Sequence, residues 1–188
     1  MSYMKLVLVA VVVFLAQVSI GPMIGTESVP SRVNNTDSLK PRVVTGQNLI
    51  DQAFAVAVNT ESGGKHFGGA GSVAEADEPT TSSSGAIGIA QVMPGTAPEA
   101  AKLAGLVWDE WRYRHDPAYN RALGKAYFLK QAKRFGTLER AYAAYNAGPG
   151  AVGRALAAGG KNWLRHLPKE TQNYVAKNMR VFKAAHGL

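Results

Sequence analysis

The sequence predicts an all-α domain set behind an apolar N-terminal segment and a polar linker. Three observations lead there. Apolar residues recur at three-and-four spacing in several windows after residue 45. No window in that part of the chain alternates with the two-residue period of a half-buried strand. Helix start and stop signals, such as Asp116 before Pro117 and the closing Gly136, punctuate the windows.

Taken in order, "MSYMKLVLVAVVVFLAQVSIG" holds Lys5 and then an unbroken apolar run from Leu6 to Ala16, the length of a signal-peptide core. Counted through Ile24 it becomes a marginal membrane span, and the next basic residue is Arg32, which fits an N-in, C-out orientation. Residues 1–24 are therefore expected to be a signal peptide or membrane anchor, with no clean A-x-A site to choose between them. A buried core helix is the structural alternative. Residues 25–44 contain two prolines and no sustained periodicity, and read as a linker. The folded domain is expected to occupy 45–188.

Within it, Leu49, Ile50, Ala53, Phe54, Ala57 and Val58 mark a first helix with Thr45 as its N-cap. "KHFGGAGSVAEADEPTTSSSG" reads as a long loop carrying Glu75, Asp77 and Glu78. "AIGIAQVMPGTAPEAAKLAGL" reads as a short helix, a Pro-Gly break and a second helix capped by Thr96. Asp116 opens the clearest helix, with Leu123, Ala126, Tyr127, Lys130 and Ala132 leading to Gly136. Two further helical segments flank "AGPG", and a basic C-terminal helix carries Tyr174, Val175, Met179 and Phe182 on one side.

With 188 residues, of which 46% are hydrophobic, the chain holds one compact domain plus appendages. The absence of cysteine excludes disulfides and thiolate metal sites. Four histidines, His66, His115, His166 and His186, form no close pair, so neither a metal nor another cofactor is expected. The net charge of +8 suits an anionic partner: nucleic acid, a phospholipid surface or an acidic wall polymer. A solvated basic surface accounts for it equally well.

One residue stands out. Glu61 falls in the last turn of the first helix, ahead of Gly63 and Gly64, where the macrodipole disfavours a negative charge. With partial burial, that position raises a carboxyl's pKa toward what a general acid needs. A solvated glutamate at a frayed helix end is the alternative.

"TESGG", "SSSGAIGIAQVMPGTA", "DPAYNRALGKAYFLKQAKRFG", "AYAAYNAGPGAV" and "LPKETQNYVAK" occur in the order of the signature segments of the soluble lytic transglycosylase domain, which the chain resembles over roughly Leu49 to Phe182. The resemblance implies a goose-lysozyme-like fold. It also implies cleavage of the β-1,4 bond between N-acetylmuramic acid and N-acetylglucosamine in peptidoglycan, with a 1,6-anhydro product. Glu61 matches the family's catalytic acid. Ser82 matches a hydroxyl near that acid, with Ser83 and Ser84 beside it, and Gln91 and Met93 match cleft-lining positions. Tyr145 and Asn146 match the segment facing the acid, and Glu170 and Tyr174 a pair on the far wall. Read singly, Met93 and Tyr174 fit a core stripe, Asn146 a helix C-cap and Glu170 a first-turn acid.

The stretch at 68–81 is longer than usual for the family. If Asp77 within it reached the cleft, it could position a water and make the enzyme a hydrolase. The expected partner is the peptidoglycan glycan strand, with the membrane engaged through an uncleaved N-terminus, no nucleic acid, and a monomeric state. The expected location is exported, periplasmic or membrane-anchored facing the wall, or on a virion if the chain is phage-encoded. A non-catalytic wall-binding component of a secretion apparatus or phage particle is the alternative from another class.

Overall fold

The structure is a computed structural model, described here for residues 46–68 and 78–188. The N-terminal segment, the linker, Thr45 and the acidic residues Glu75 and Asp77 lie outside the described residues. Among the described residues, helices account for nearly all regular structure, and β-pairing is confined to isolated bridges around residues 67–92. No described helix is long and apolar enough to cross a membrane.

Helix α1, Gly46–Ser62, is the predicted first helix and runs one residue past Glu61. Its Ala53, Phe54, Ala57 and Val58 are buried, the stripe that the spacing marks. Helix α2 spans Ala97–Leu103 and α3 spans Glu110–His115. Helix α4, Pro117–Phe135, begins at Asp116, whose carboxylate accepts from the Ala118 and Tyr119 amides at 3.0 Å, and ends at Gly136 in the left-handed conformation (φ 74°). Helices α5, Leu138–Ala147, and α6, Pro149–Gly159, meet at Gly148. A 3₁₀ helix, Gly160–His166, leads into α7, Lys169–His186.

Two sequence expectations are corrected here, and two short elements are added. The segment 86–93, read as a short helix, is a set of tight turns closed by reciprocal Ile87–Val92 backbone hydrogen bonds of 3.0 and 3.1 Å. Gly85 and Gly88 take φ of 86° and 80°, values a helix cannot hold. Thr96 occupies the N-cap position of α2, but its hydroxyl makes no cap; the Met93 carbonyl instead accepts from the Thr96 and Ala97 amides. Helix α3 and the 3₁₀ helix were not anticipated, being too short to show a periodicity of their own.

Side chains hold the 86–93 turns in place, because the loop has no ladder to satisfy its backbone. Buried Asn120 of α4 accepts from the Ala90 amide and donates to the Ile87 and Tyr113 carbonyls, all at 3.0 Å. His66 Nδ1 accepts from the Ile89 amide at 3.0 Å, so Nε2 carries the hydrogen and donates to the Arg114 carbonyl at 2.8 Å. Burial lowers the His66 pKa and keeps this ring neutral.

The core joins α1, α4, α5 and α7 through an aromatic cluster. Phe128 lies 5.9 Å from Phe54, 5.4 Å from Tyr142 and 5.8 Å from Tyr145 between ring centroids. The Tyr142 hydroxyl ties α5 to α1 by donating to the Ala53 carbonyl at 2.9 Å. Gly124 lets α4 approach the loop: a Cβ there would stand 2.5 Å from Ala90 Cβ and 2.7 Å from the Tyr145 hydroxyl. Gly124→Ala is therefore expected to overpack this junction and cost about 1–3 kcal/mol, less the roughly 1 kcal/mol that alanine gains in a helix. Urea unfolding checks it; a midpoint equal to the wild type would mean that the loop yields freely.

Candidate active site

Glu61 is clamped by its neighbours. Thr60 Oγ1 donates to Asn178 Oδ1 of α7 at 2.9 Å, and Ser62 Oγ donates to the Ile89 carbonyl of the loop at 2.7 Å. Gly63 leaves the helix with φ 64°, its amide bonded to the Asn59 carbonyl at 3.1 Å. The last turn of α1 is thus fixed on both flanks, and the carboxyl it carries cannot swing with a fraying end.

Burial is the largest influence on Glu61 and raises its pKa. The Tyr174 hydroxyl opposes it by favouring the charged form, Glu170 raises the value further and Lys177 lowers it. The balance leaves the carboxyl more easily protonated than an ordinary glutamate. The direction is the one its helix-end position suggests, but burial is the main physical cause.

Two tyrosines attend it. Tyr145 donates its hydroxyl to the Ala90 carbonyl at 2.7 Å and stands edge-on to Phe54 at 6.3 Å. Tyr174 is buried beside Glu61, and its hydroxyl is committed to no other partner among the described residues. Burial and then the charge of Glu61 push both phenols well above their ordinary pKa, so both remain protonated donors.

Beside this group lies a cavity of about 340 Å³. Gln91, Met93, Tyr145 and Asn146 line it, with Ser84 and Tyr127. Gln91 has φ 48°, a left-handed conformation unusual outside glycine, and its Nε2 donates to the Thr80 and Gly88 carbonyls at 2.9 and 2.8 Å. Its amide hydrogens are spent on the loop, which leaves Oε1 as an acceptor. Asn146 is the reverse: its Oδ1 accepts from buried Thr171 at 2.8 Å, which leaves Nδ2 as a donor.

The structure thus brings Glu61, Tyr145, Tyr174 and Glu170 into one electrostatic group, and Gln91, Met93, Tyr145 and Asn146 around one cavity. Ser82 is not at that cavity. Its hydroxyl accepts from the Ala86 amide and bonds Ser84, both at 2.9 Å, and Ser84 takes the cleft position. Thr60, Tyr127, Thr171 and Asn178 escaped the sequence reading because their value lies in contacts across the chain. Only the spacing of Thr171 and Asn178 on the buried side of α7 hinted at a role.

The chain belongs to the transglycosylase SLT domain family, whose profile matches residues 48–166. Solved structures share the fold. The 70-kDa soluble lytic transglycosylase of Escherichia coli is 24% identical with a TM-score of 0.57, covering 77% of this chain and 25% of its own. An inactive Glu-to-Gln mutant of lytic transglycosylase Slt from Pseudomonas aeruginosa is 22% identical with a TM-score of 0.56, at the same coverage of 77% and 25%. A 70-kDa soluble lytic transglycosylase bound to bulgecin A is 24% identical with a TM-score of 0.56, over 77% of this chain and 24% of that one. The chain therefore spans about a quarter of the length of these structures.

Two outcomes are expected from titration. By NMR, the Glu61 carboxyl titrates above an ordinary glutamate, moving lower in Glu170→Gln and higher in Lys177→Met; indifference to both substitutions would remove these charges as its neighbours. A carboxyl that binds its proton more tightly when folded contributes stability that is lost as pH rises through its raised pKa. Glu61→Gln is thus expected to melt above the wild type at neutral pH, with the gap closing below the ordinary glutamate pKa.

Proposed function

We propose that the protein is an exported peptidoglycan lytic transglycosylase with Glu61 as its single acid and base. The observation that carries this reading is a clamped, partly buried carboxyl, raised in pKa and attended by two protonated tyrosines, one of which, Tyr145, lines a cavity together with Gln91 and Asn146. Family membership supports it. The protonated Glu61 gives its proton to the glycosidic oxygen as the bond from muramoyl C1 breaks. The resulting carboxylate then takes the proton of the same sugar's C6 hydroxyl, whose oxygen closes on C1. The product is a 1,6-anhydro sugar and Glu61 is protonated again. The nucleophile is tethered to the substrate, so no carboxylate has to hold a water.

Tyr174, whose hydroxyl hydrogen is uncommitted, acts as a donor to the reacting sugar, while Tyr145, whose one hydroxyl hydrogen is given to the Ala90 carbonyl, presents an acceptor oxygen; both remain neutral. The acceptor Oε1 of Gln91 and the donor Nδ2 of Asn146 form a complementary pair for an N-acetyl group, whose N–H and C=O require one of each. Met93 supplies an apolar wall for the sugar's face. The apolar segment at residues 1–24 would direct the domain across the membrane as a signal peptide or anchor, and residues 25–44 would serve as its tether. The basic charge suits an acidic wall polymer.

The deciding experiment incubates full-length protein with purified peptidoglycan and reads the released muropeptides by mass spectrometry. Anhydromuramoyl products are expected, with the rate in Glu61→Gln lower by about 10²–10⁴-fold. Products heavier by one water would make it a hydrolase and direct attention to Asp77. No release by either protein, with wall binding intact, would make it a binding component.

A further inference from the structure

A second surface feature is independent of Glu61. On α4, Ala122, Ala126 and Leu129 share one face at three-and-four spacing, interleaved with Lys125, Lys130 and Lys133. Leu103, at the end of α2 and 43% exposed, stands across from them. Together they bound an open groove of about 460 Å³, larger than the cavity near Glu61 and sharing no lining residue with it. Tyr127, from the intervening turn of α4, lines that other cavity instead. One helix thus serves two surfaces.

The floor is alkyl and the rim is cationic. Lys125 pairs with Asp51 at 2.9 Å and Lys130 pairs with Glu99, but both pairs are partly open to solvent, which screens the attraction and weakens their hold on the ammonium groups. Lys133 has no ion pair among the described residues. Lys102 and Arg134, next in sequence to the groove residues Leu103 and Lys133, add to the cationic excess of these helix ends. Sugars find few hydrogen-bonding partners on such a floor. A second copy of this chain would bring lysine against lysine under a net charge of +8. A flat lipid surface meets a concave floor poorly.

We infer that this groove docks an acidic amphipathic helix of a partner protein. The stripe from Ala122 to Lys133 runs about 17 Å along α4, the length of roughly three helical turns. Large apolar side chains of the partner would fill the space above the two alanines and against Leu103 and Leu129. Carboxylates flanking that apolar row would face Lys125, Lys130 and Lys133. Such a partner would hold the domain in place while leaving the face that carries Glu61 open.

The test uses full-length protein and a fluorescein-labelled synthetic helix with a leucine row flanked by glutamates, read by anisotropy. Micromolar binding is expected, weakened about ten-fold or more by Lys130→Glu with Lys133→Glu, and likewise by Ala126→Arg, which fills the floor. The exposed pair Lys161→Glu with Arg165→Glu on the 3₁₀ helix is expected to bind as the wild type does. The lysine substitutions leave the core untouched, so they report even if Ala126→Arg folds poorly. Equal losses in the groove and control variants would overturn the inference, reducing the binding to general charge. So would equal binding of a peptide with lysine flanks. Phosphatidylserine vesicle binding that falls with the groove lysines, without peptide binding, would assign the surface to lipid. Dimerisation abolished by Ala126→Arg would assign it to a second copy.

Discussion

The site depends on how the last turn of α1 is pinned. A helix end left to itself frays, and a carboxylate there would sit in water at an ordinary pKa. Here Thr60 is bound to Asn178 and Ser62 to the Ile89 carbonyl, so the residue between them is fixed against α7 on one side and the 86–93 loop on the other. Partial burial follows from that clamp. The raised pKa follows from the burial, with Glu170 and Lys177 adjusting it in opposite directions.

The clamp relies in turn on a loop with no ladder of its own. Asn120 and His66 replace the missing ladder by bonding its amides and carbonyls from α4 and from the end of the α1 connection. Gly124 allows the close approach that places the Tyr145 hydroxyl on the Ala90 carbonyl. The strained backbone of Gln91 belongs to the same arrangement, since its amide hydrogens close the loop over Thr80 and Gly88 while its oxygen is left for the cavity. Loop stability and cleft polarity are therefore decided by the same side chains.

The amides at the cavity show how tertiary contacts assign chemistry. Gln91 and Asn146 carry identical functional groups and could each donate or accept. Because Thr80 and Gly88 occupy the nitrogen of one and Thr171 occupies the oxygen of the other, they present opposite characters. On α4 a comparable division occurs, with Tyr127 turned to the cavity and the alanine and lysine stripe turned to a groove of its own.

Much of this was legible in the sequence. The stripe Ala53, Phe54, Ala57 and Val58 marked α1, the Asp116–Pro117 start and Gly136 stop bounded α4, and Glu61 before two glycines marked an acid at a helix end. These signals are local, set by caps, backbone freedom and helical period, so the chain determines them wherever it goes. The turns at 86–93 were misread as a helix because a short apolar run carries no decisive period, while its conformation is set by Asn120 and His66 from outside the run. Ser82, matched to a hydroxyl near the acid, bonds within its own turn, and it is Ser84 that lines the cavity. Which face of α4 meets which surface, and how far Glu61 is dehydrated, were decided only by tertiary structure, because burial and hydrogen-bond partners belong to contacts between segments distant in sequence.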